Sequence, residues 1–212
     1  MKKFLKLFII FYIGSFLGFI VEEIWCFIKN GTLKLRQALI YEPLIPIYGL
    51  ATAIIIAYQE ANNLNSFEVF ISGLIIASII EYLSSYLQEK MFNTISWDYS
   101  DFPLNLNGRI NLLYSIGFGA LSVLVVKIYK IFTPQIDLFI NSNYLLLLTI
   151  VVLVIFIIDA IISILACNRQ KNRRENITAK TKLDKLLDTY YPDEKLNRIY
   201  NNADYIKKEE LS

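Results

Sequence analysis

Histidine is absent from the 212 residues. That removes the side chain that most often serves as general base and as metal ligand. Only two cysteines are present, Cys26 and Cys167, each at the end of an apolar run. Both read as unpaired small hydrophobes. A His-dependent hydrolase or a zinc site is therefore not available. No G-x-x-x-x-G-K-[ST] stretch occurs, so this chain does not bind ATP through a P-loop. No A-x-A-like site follows the N-terminal lysines and apolar run, which predicts a retained first helix. No cofactor, metal or enzymatic activity is expected. A carboxylate enzyme built on Asp98 with Asp101, or on Glu81 with Asp159, is the remaining catalytic arrangement and ranks last.

What is present is apolar sequence: 55% of the residues are hydrophobic. The runs exceed what a soluble domain of this size carries, so the expected fold is an all-α, polytopic membrane helix bundle. Charge is distributed unevenly. Residues 1–167 carry 10 Lys and Arg against 11 Asp and Glu, and residues 168–212 carry 11 against 8. The change at Cys167 divides a transmembrane domain, 1–167, from a cytoplasmic tail, 168–212.

About five spans are predicted, each roughly a bilayer's length of apolar residues. The first is Phe4 to about Ile28, with Gly14, Gly18 and Glu22 on one face. Small residues at that spacing let a neighbouring helix approach closely, and Glu22 then faces protein. The second, roughly Leu44 to Tyr58, looks short and begins in P-L-I-P-I-Y-G, a poor start for a regular helix. The third, about Phe67 to Phe92, carries Gly73, Ala77, Glu81, Ser85 and Glu89 every fourth residue, a face small at one end and acidic at the other. The fourth is about Ile110 to Ile131, followed by a connection over Thr133 to Asn143. The fifth, Tyr144 to Cys167, has Asp159, Ser163 and Cys167 on one face.

Basic residues at the exit of the fifth span, N-R-Q-K-N-R-R, argue for a cytoplasmic C-terminus and hence an N-terminus outside. Nine basic residues near the spans then fall inside, Lys34 among them, against five outside. Beyond, Ile177, Leu183, Leu186, Leu187 and Tyr190 follow helical spacing up to Pro192. Two readings are open there: a partly ordered basic tail, or an amphipathic helix resting on the membrane or a partner.

The stretch Glu81 to Arg109 is the most polar in the apolar body. Carboxylates inside a membrane cost about 2.5–3.5 kcal/mol on insertion scales, so they face the bundle and find partners. Arg109, alone between Lys90 and Lys127, is the natural counter-ion, reaching Glu81 or, nearer its own level, Glu89. The candidate cavity residues are Glu22, Glu81, Ser85, Glu89, Trp97, Asp98, Tyr99, Asn105, Arg109 and Asp159. Whether they line a cavity or pin helices together is open from position alone. Asp98, Ser100 and Asn105 are turn formers, and Gly108 permits backbone that other residues resist.

The blocks E-Y-L-S-S-Y-L-Q-E-K-M-F (81–92) and W-D-Y-S-D-F-P-L-N-L-N-G-R-I (97–110) resemble the type IV ABC-transporter permease family of Gram-positive anaerobes. P-L-I-P-I-Y-G (43–49) and F-L-G-F-I-V-E-E (16–23) match its pattern too, so the resemblance covers about residues 12–130. It implies an integral protein of the cell membrane with a transport role. The chain carries Glu42 where the family commonly has Gly before the first Pro, and no coupling-helix signature for an ATPase is evident. The expected function is a transporter membrane subunit, the alternative a membrane scaffold or regulatory protein. Its expected surroundings are the lipid bilayer and a separate ATPase subunit, with homo-oligomers open and no nucleic acid.

Overall fold

A computed structural model describes residues 2–32 and 36–206. Lys34, counted above among the inner basic residues, lies outside the described residues. Helices α1 (Lys2–Asn30), α2 (Pro46–Asn62), α3 (Ser66–Phe92), α4 (Leu112–Asn141) and α5 (Asn143–Arg174) form the body. Four of them, α1, α3, α4 and α5, are long and apolar enough to cross a membrane. The short one is α2. Its 17 residues extend about 25 Å at 1.5 Å each, just under the roughly 30 Å of a bilayer core. The body is thus the all-α bundle the apolar runs predict, and it is a membrane protein. The outward faces are rows of exposed Ile and Leu, as on α5.

The second apolar stretch does form a regular helix, and it does so because Pro46 is its first residue. There the missing N–H is not needed and the fixed φ suits the turn. The Ile45 N–H donates to the Ser15 carbonyl at 3.1 Å, which seats the start of α2 halfway along α1. Helices α1 and α2 then run antiparallel in contact. A Cβ placed on Gly18 would lie 2.4 Å from Tyr48, so only glycine lets that tyrosine cross. The second tight pair is α3 with α4, where Gly73 faces Ser122 and the Ser78 hydroxyl lies 2.7 Å from that of Ser115. The start of α3 is fixed by a reciprocal cap between Asn65 and Glu68.

Two boundaries differ from expectation. The connection predicted over Thr133 to Asn143 is helical: α4 runs through Pro134 to Asn141, leaving Ser142 as the link to α5. Thr133 donates its hydroxyl to the Tyr129 carbonyl at 2.8 Å, beside the carbonyl that Pro134 leaves without its usual donor. Lys6 bridges Glu60 (3.1 Å) and Asp137 (2.9 Å) at this end, so the extra turns are held by charge. Likewise α5 continues seven residues past Cys167.

The tail then folds back on the body through α6 (Lys182–Tyr190), α7 (Asp193–Ile199) and β4 (Asp204–Tyr205). Leu187 and Leu196 join Ile40 and Ala166 in a buried cluster. Two of the basic residues at the exit are committed within the protein. Arg169 grips Asp188 with two nitrogens at 2.8 and 2.9 Å, and Arg173 reaches Asp188 and Asp193. Strand β4 pairs antiparallel with β1 (Thr94–Ile95), at the base of the α3–α4 loop. A second small ribbon, β2 (Asn105–Leu106) with β3 (Ile110–Asn111), closes that loop.

Candidate functional site

The loop between α3 and α4 is a bonded unit. The Asp98 carboxylate accepts from the backbone N–H and hydroxyl of Ser100, at 2.9 and 2.6 Å. Those bonds hold its carboxyl below the usual Asp range. The Asn105 side chain donates to the Phe102 carbonyl (2.7 Å) and accepts from Gly108 N–H (3.0 Å), while the Trp97 indole donates to the Arg109 carbonyl (3.0 Å). Gly108 has φ +66°, and a Cβ there would meet Asp98 and Ser100 at 2.5 Å. Three predicted site residues, Trp97, Asp98 and Asn105, are thus tied into the bonding that shapes the loop.

What the loop delivers inward is Tyr99. Its hydroxyl donates to Glu81 Oε1 at 3.0 Å, and its ring stacks on Tyr114 with centroids 4.8 Å apart. Burial first, then the Glu81 charge and more remotely that of Glu22, pushes the Tyr99 phenol well above its ordinary range. Glu81 is 6% exposed, and its second oxygen, Oε2, is buried with no hydrogen-bond donor among the described residues. Glu22, from α1, accepts from the Tyr48 hydroxyl at 2.6 Å and lies 3.5 Å from Arg36. Two carboxylate–phenol pairs thus meet at the tail-side half of the bundle, one from α1 and α2, the other from α3 and the loop. Trp25 and Phe118 stand edge-on to Tyr114 and Tyr48 around them. Beneath Tyr48 lies a cavity of about 40 Å³, bordered by Thr52, Ala77 and Ser122. That is enough for about one or two waters.

Arg109 belongs to a different constellation. It pairs with Glu89, donates to the Ser85 hydroxyl at 3.0 Å, and lies over the rings of Tyr82 and Tyr86. Glu81 is two turns deeper, about 12 Å along α3, and its partner is Tyr99. Of the two acids the sequence offers to Arg109, the structure selects the one at its own level.

Asp159 is separate again. Only 2% exposed, its carboxylate accepts from the N–H groups of Ile40 (3.2 Å), Tyr41 (3.0 Å) and Glu42 (2.9 Å) and from the Ser163 hydroxyl (3.1 Å). An anion among three backbone donors is a satisfied structural anchor, and it holds the α1–α2 connection against α5. Glu42 receives the Tyr12 hydroxyl at 2.7 Å, and burial raises its carboxyl above the usual Glu range. Glu23 binds the Arg36 N–H at 2.7 Å.

Tyr48 and Arg36 join the site without standing out in the sequence. Tyr48 stands in the P-L-I-P-I-Y-G block, where the prolines and glycine dominate the pattern. Arg36 precedes an irregular segment with no periodicity to place it.

A family model matches residues 9–164, from the first turns of α1 to most of α5, and so takes in Glu22, Tyr48, Glu81, Tyr99, Arg109 and Asp159. No curated protein and no solved structure matches the chain. With about three-quarters of its length inside that match, the chain belongs to the family whose description reads "Putative ABC-transporter type IV".

Proposed function

We propose that this chain is the membrane permease subunit of a transporter of the cell membrane, energised by a separate ATPase, with its tail in the cytoplasm and its N-terminus outside. The family supports the transport role. The observation that carries the reading is Glu81: a carboxylate buried in mid-bundle, bonded through one oxygen to a loop tyrosine, its other oxygen without a donor among the described residues. Such a group is expensive inside a membrane protein and is retained where a proton or a solute visits it. With Glu22 close by and aromatic walls from Tyr48, Tyr99 and Tyr114, the chemistry favours a solute bearing a positive charge or hydrogen-bond donors. On this reading Tyr99 and its loop gate the site from the tail side.

A second reading, a membrane scaffold whose polar cluster is structural, draws on the small cavity and on the loop's largely self-satisfied bonding. The test is Glu81→Gln in reconstituted vesicles. The chain is purified with whatever ATPase accompanies it, and ATP-dependent uptake and thermal stability are measured together. Loss of uptake with stability retained supports the permease. Parallel loss of both, or absence of any ATPase partner, favours the scaffold. Reporter fusions at Met1 and Ser212 check the orientation; a cytoplasmic signal at both ends overturns it.

A further inference from the structure

The short helix α6 has two apolar sectors, and the body uses only one. Leu187 is buried, whereas Leu183 (48% exposed), Leu186 (53%) and Tyr190 (63%) are open. Successive residues turn about 100° around a helix. Taking Leu183 as the zero direction, Leu187 falls at about +40°, Asp188 at about +140°, Tyr190 at about −20° and Leu186 at about −60°. The side of α6 turned to α5 is therefore the one between Leu187 and Asp188.

Their partners show which way is inward. Leu187 shares its cluster with Ala166 and Ile162, still within the apolar run of α5. Asp188 binds Arg169 and Arg173, beyond that run. Going round α6 from Asp188 to Leu187 is thus a step along α5 toward the bilayer. The next sector in the same sense carries Leu183, Tyr190 and Leu186. The opposite sector carries Lys185, exposed to water.

We propose that α6 lies on the surface of the bilayer that α5 has just left, with Leu183, Leu186 and Tyr190 set among the lipid headgroups and first methylenes. The occupant is lipid because α6 is pinned at the membrane exit of α5 with this sector facing back along the span. The composition fits an interfacial helix: an apolar sector with a tyrosine at one end, and Lys182 on its flank, able to extend its ammonium toward the phosphates. Arg169, itself 5% exposed, holds the helix at that height by bonding both Asp188 and the Ile177 carbonyl.

The test places one spin label at Leu186→Cys and, separately, at Lys185→Cys in the full chain, in nanodiscs of phosphatidylethanolamine and phosphatidylglycerol. Both positions are exposed, so neither label disturbs a buried contact. The unsubstituted chain, labelled identically, gives the background of Cys26 and Cys167. Collision with oxygen, which partitions into lipid, is compared with collision with a water-soluble nickel chelate. The expected result is a several-fold preference for oxygen at Leu186 and for nickel at Lys185. Equal nickel access at both positions overturns the proposal and leaves the sector as an open face for a protein partner. Protection of Leu186 from both reagents also overturns it, since the sector is then covered by protein.

Discussion

Tyr99 of the α3–α4 loop reaches into the bundle and donates its hydroxyl to Glu81 Oε1 at 3.0 Å. A loop residue thereby holds one oxygen of a carboxylate that belongs to the middle of a span. The other oxygen has no donor among the described residues, so the group is half satisfied, and removing the phenol takes away its one hydrogen bond to them.

Tyr99→Phe keeps the stack on Tyr114 and removes only the bond. We expect destabilisation of about 1–3 kcal/mol, the cost of leaving a buried acceptor unmade, while Glu81→Gln combined with Tyr99→Phe costs less than the sum. Thermal unfolding of the four proteins in one detergent checks this. Additive effects would show that the two groups do not interact.

Arg109 and Glu89 form a largely buried arginine–carboxylate pair between α3 and the start of α4, flanked by Ser85, Tyr82 and Tyr86. Breaking it by Glu89→Gln should cost about 3–5 kcal/mol, because an arginine cannot shed its charge. Arg109→Lys should recover only part of the stability, since lysine lacks the fork that reaches Glu89 and Ser85 together. Chemical unfolding read by the fluorescence of Trp25 and Trp97 is the measurement. An effect within error for Glu89→Gln would mean that the arginine is hydrated.

Acid should release the tail. Asp188 is held below its usual value near 3.8 chiefly by the Arg169 bonds. A carboxyl lowered on folding contributes stability that is fully present above its unfolded value and is lost as the pH falls through the folded one. Docking should therefore be constant from neutrality down to about pH 4 and weaken below it. Asp188→Asn should weaken docking at neutral pH and flatten that acid step. Hydrogen exchange of residues 182–199 across pH reports it, and an unchanged acid step in the variant would assign the step elsewhere.

Truncation after Arg174 should leave the chain inserted, because the apolar runs end by Cys167, but less stable. Leu187 and Leu196 leave the cluster they share with Ile40 and Ala166. Membrane extraction measures the first and thermal unfolding the second. Failure to insert would show that the tail is needed to assemble the body.

The spans were legible because apolar runs are long and nothing else in the chain resembles them. The acidic face of α3 was legible too, since Gly73, Ala77, Glu81, Ser85 and Glu89 repeat at helical spacing. The partners were not. Periodicity ranks residues along one helix, but Glu81 meets a phenol delivered by a loop, and loop reach depends on turns such as Asp98–Ser100 over Gly108. Asp159 stood out as a carboxylate in an apolar run, yet its donors are the backbone N–H groups of residues 40–42, which every sequence possesses. The end of α4 was missed because Thr133 and Pro134 read as a break. Their setting, between the Lys6–Asp137 bridge and a bonded threonine, decides otherwise.

The pairing of β4 with β1 ties the tail to the α3–α4 loop. Asp204 and Tyr205 hydrogen-bond to the strand that leads directly into the loop bearing Tyr99. The C-terminal strand is thus a handle on that loop. The base of the loop that carries Tyr99 is therefore fastened by a strand more than a hundred residues further along the chain, so the tail and the loop are braced as one structure.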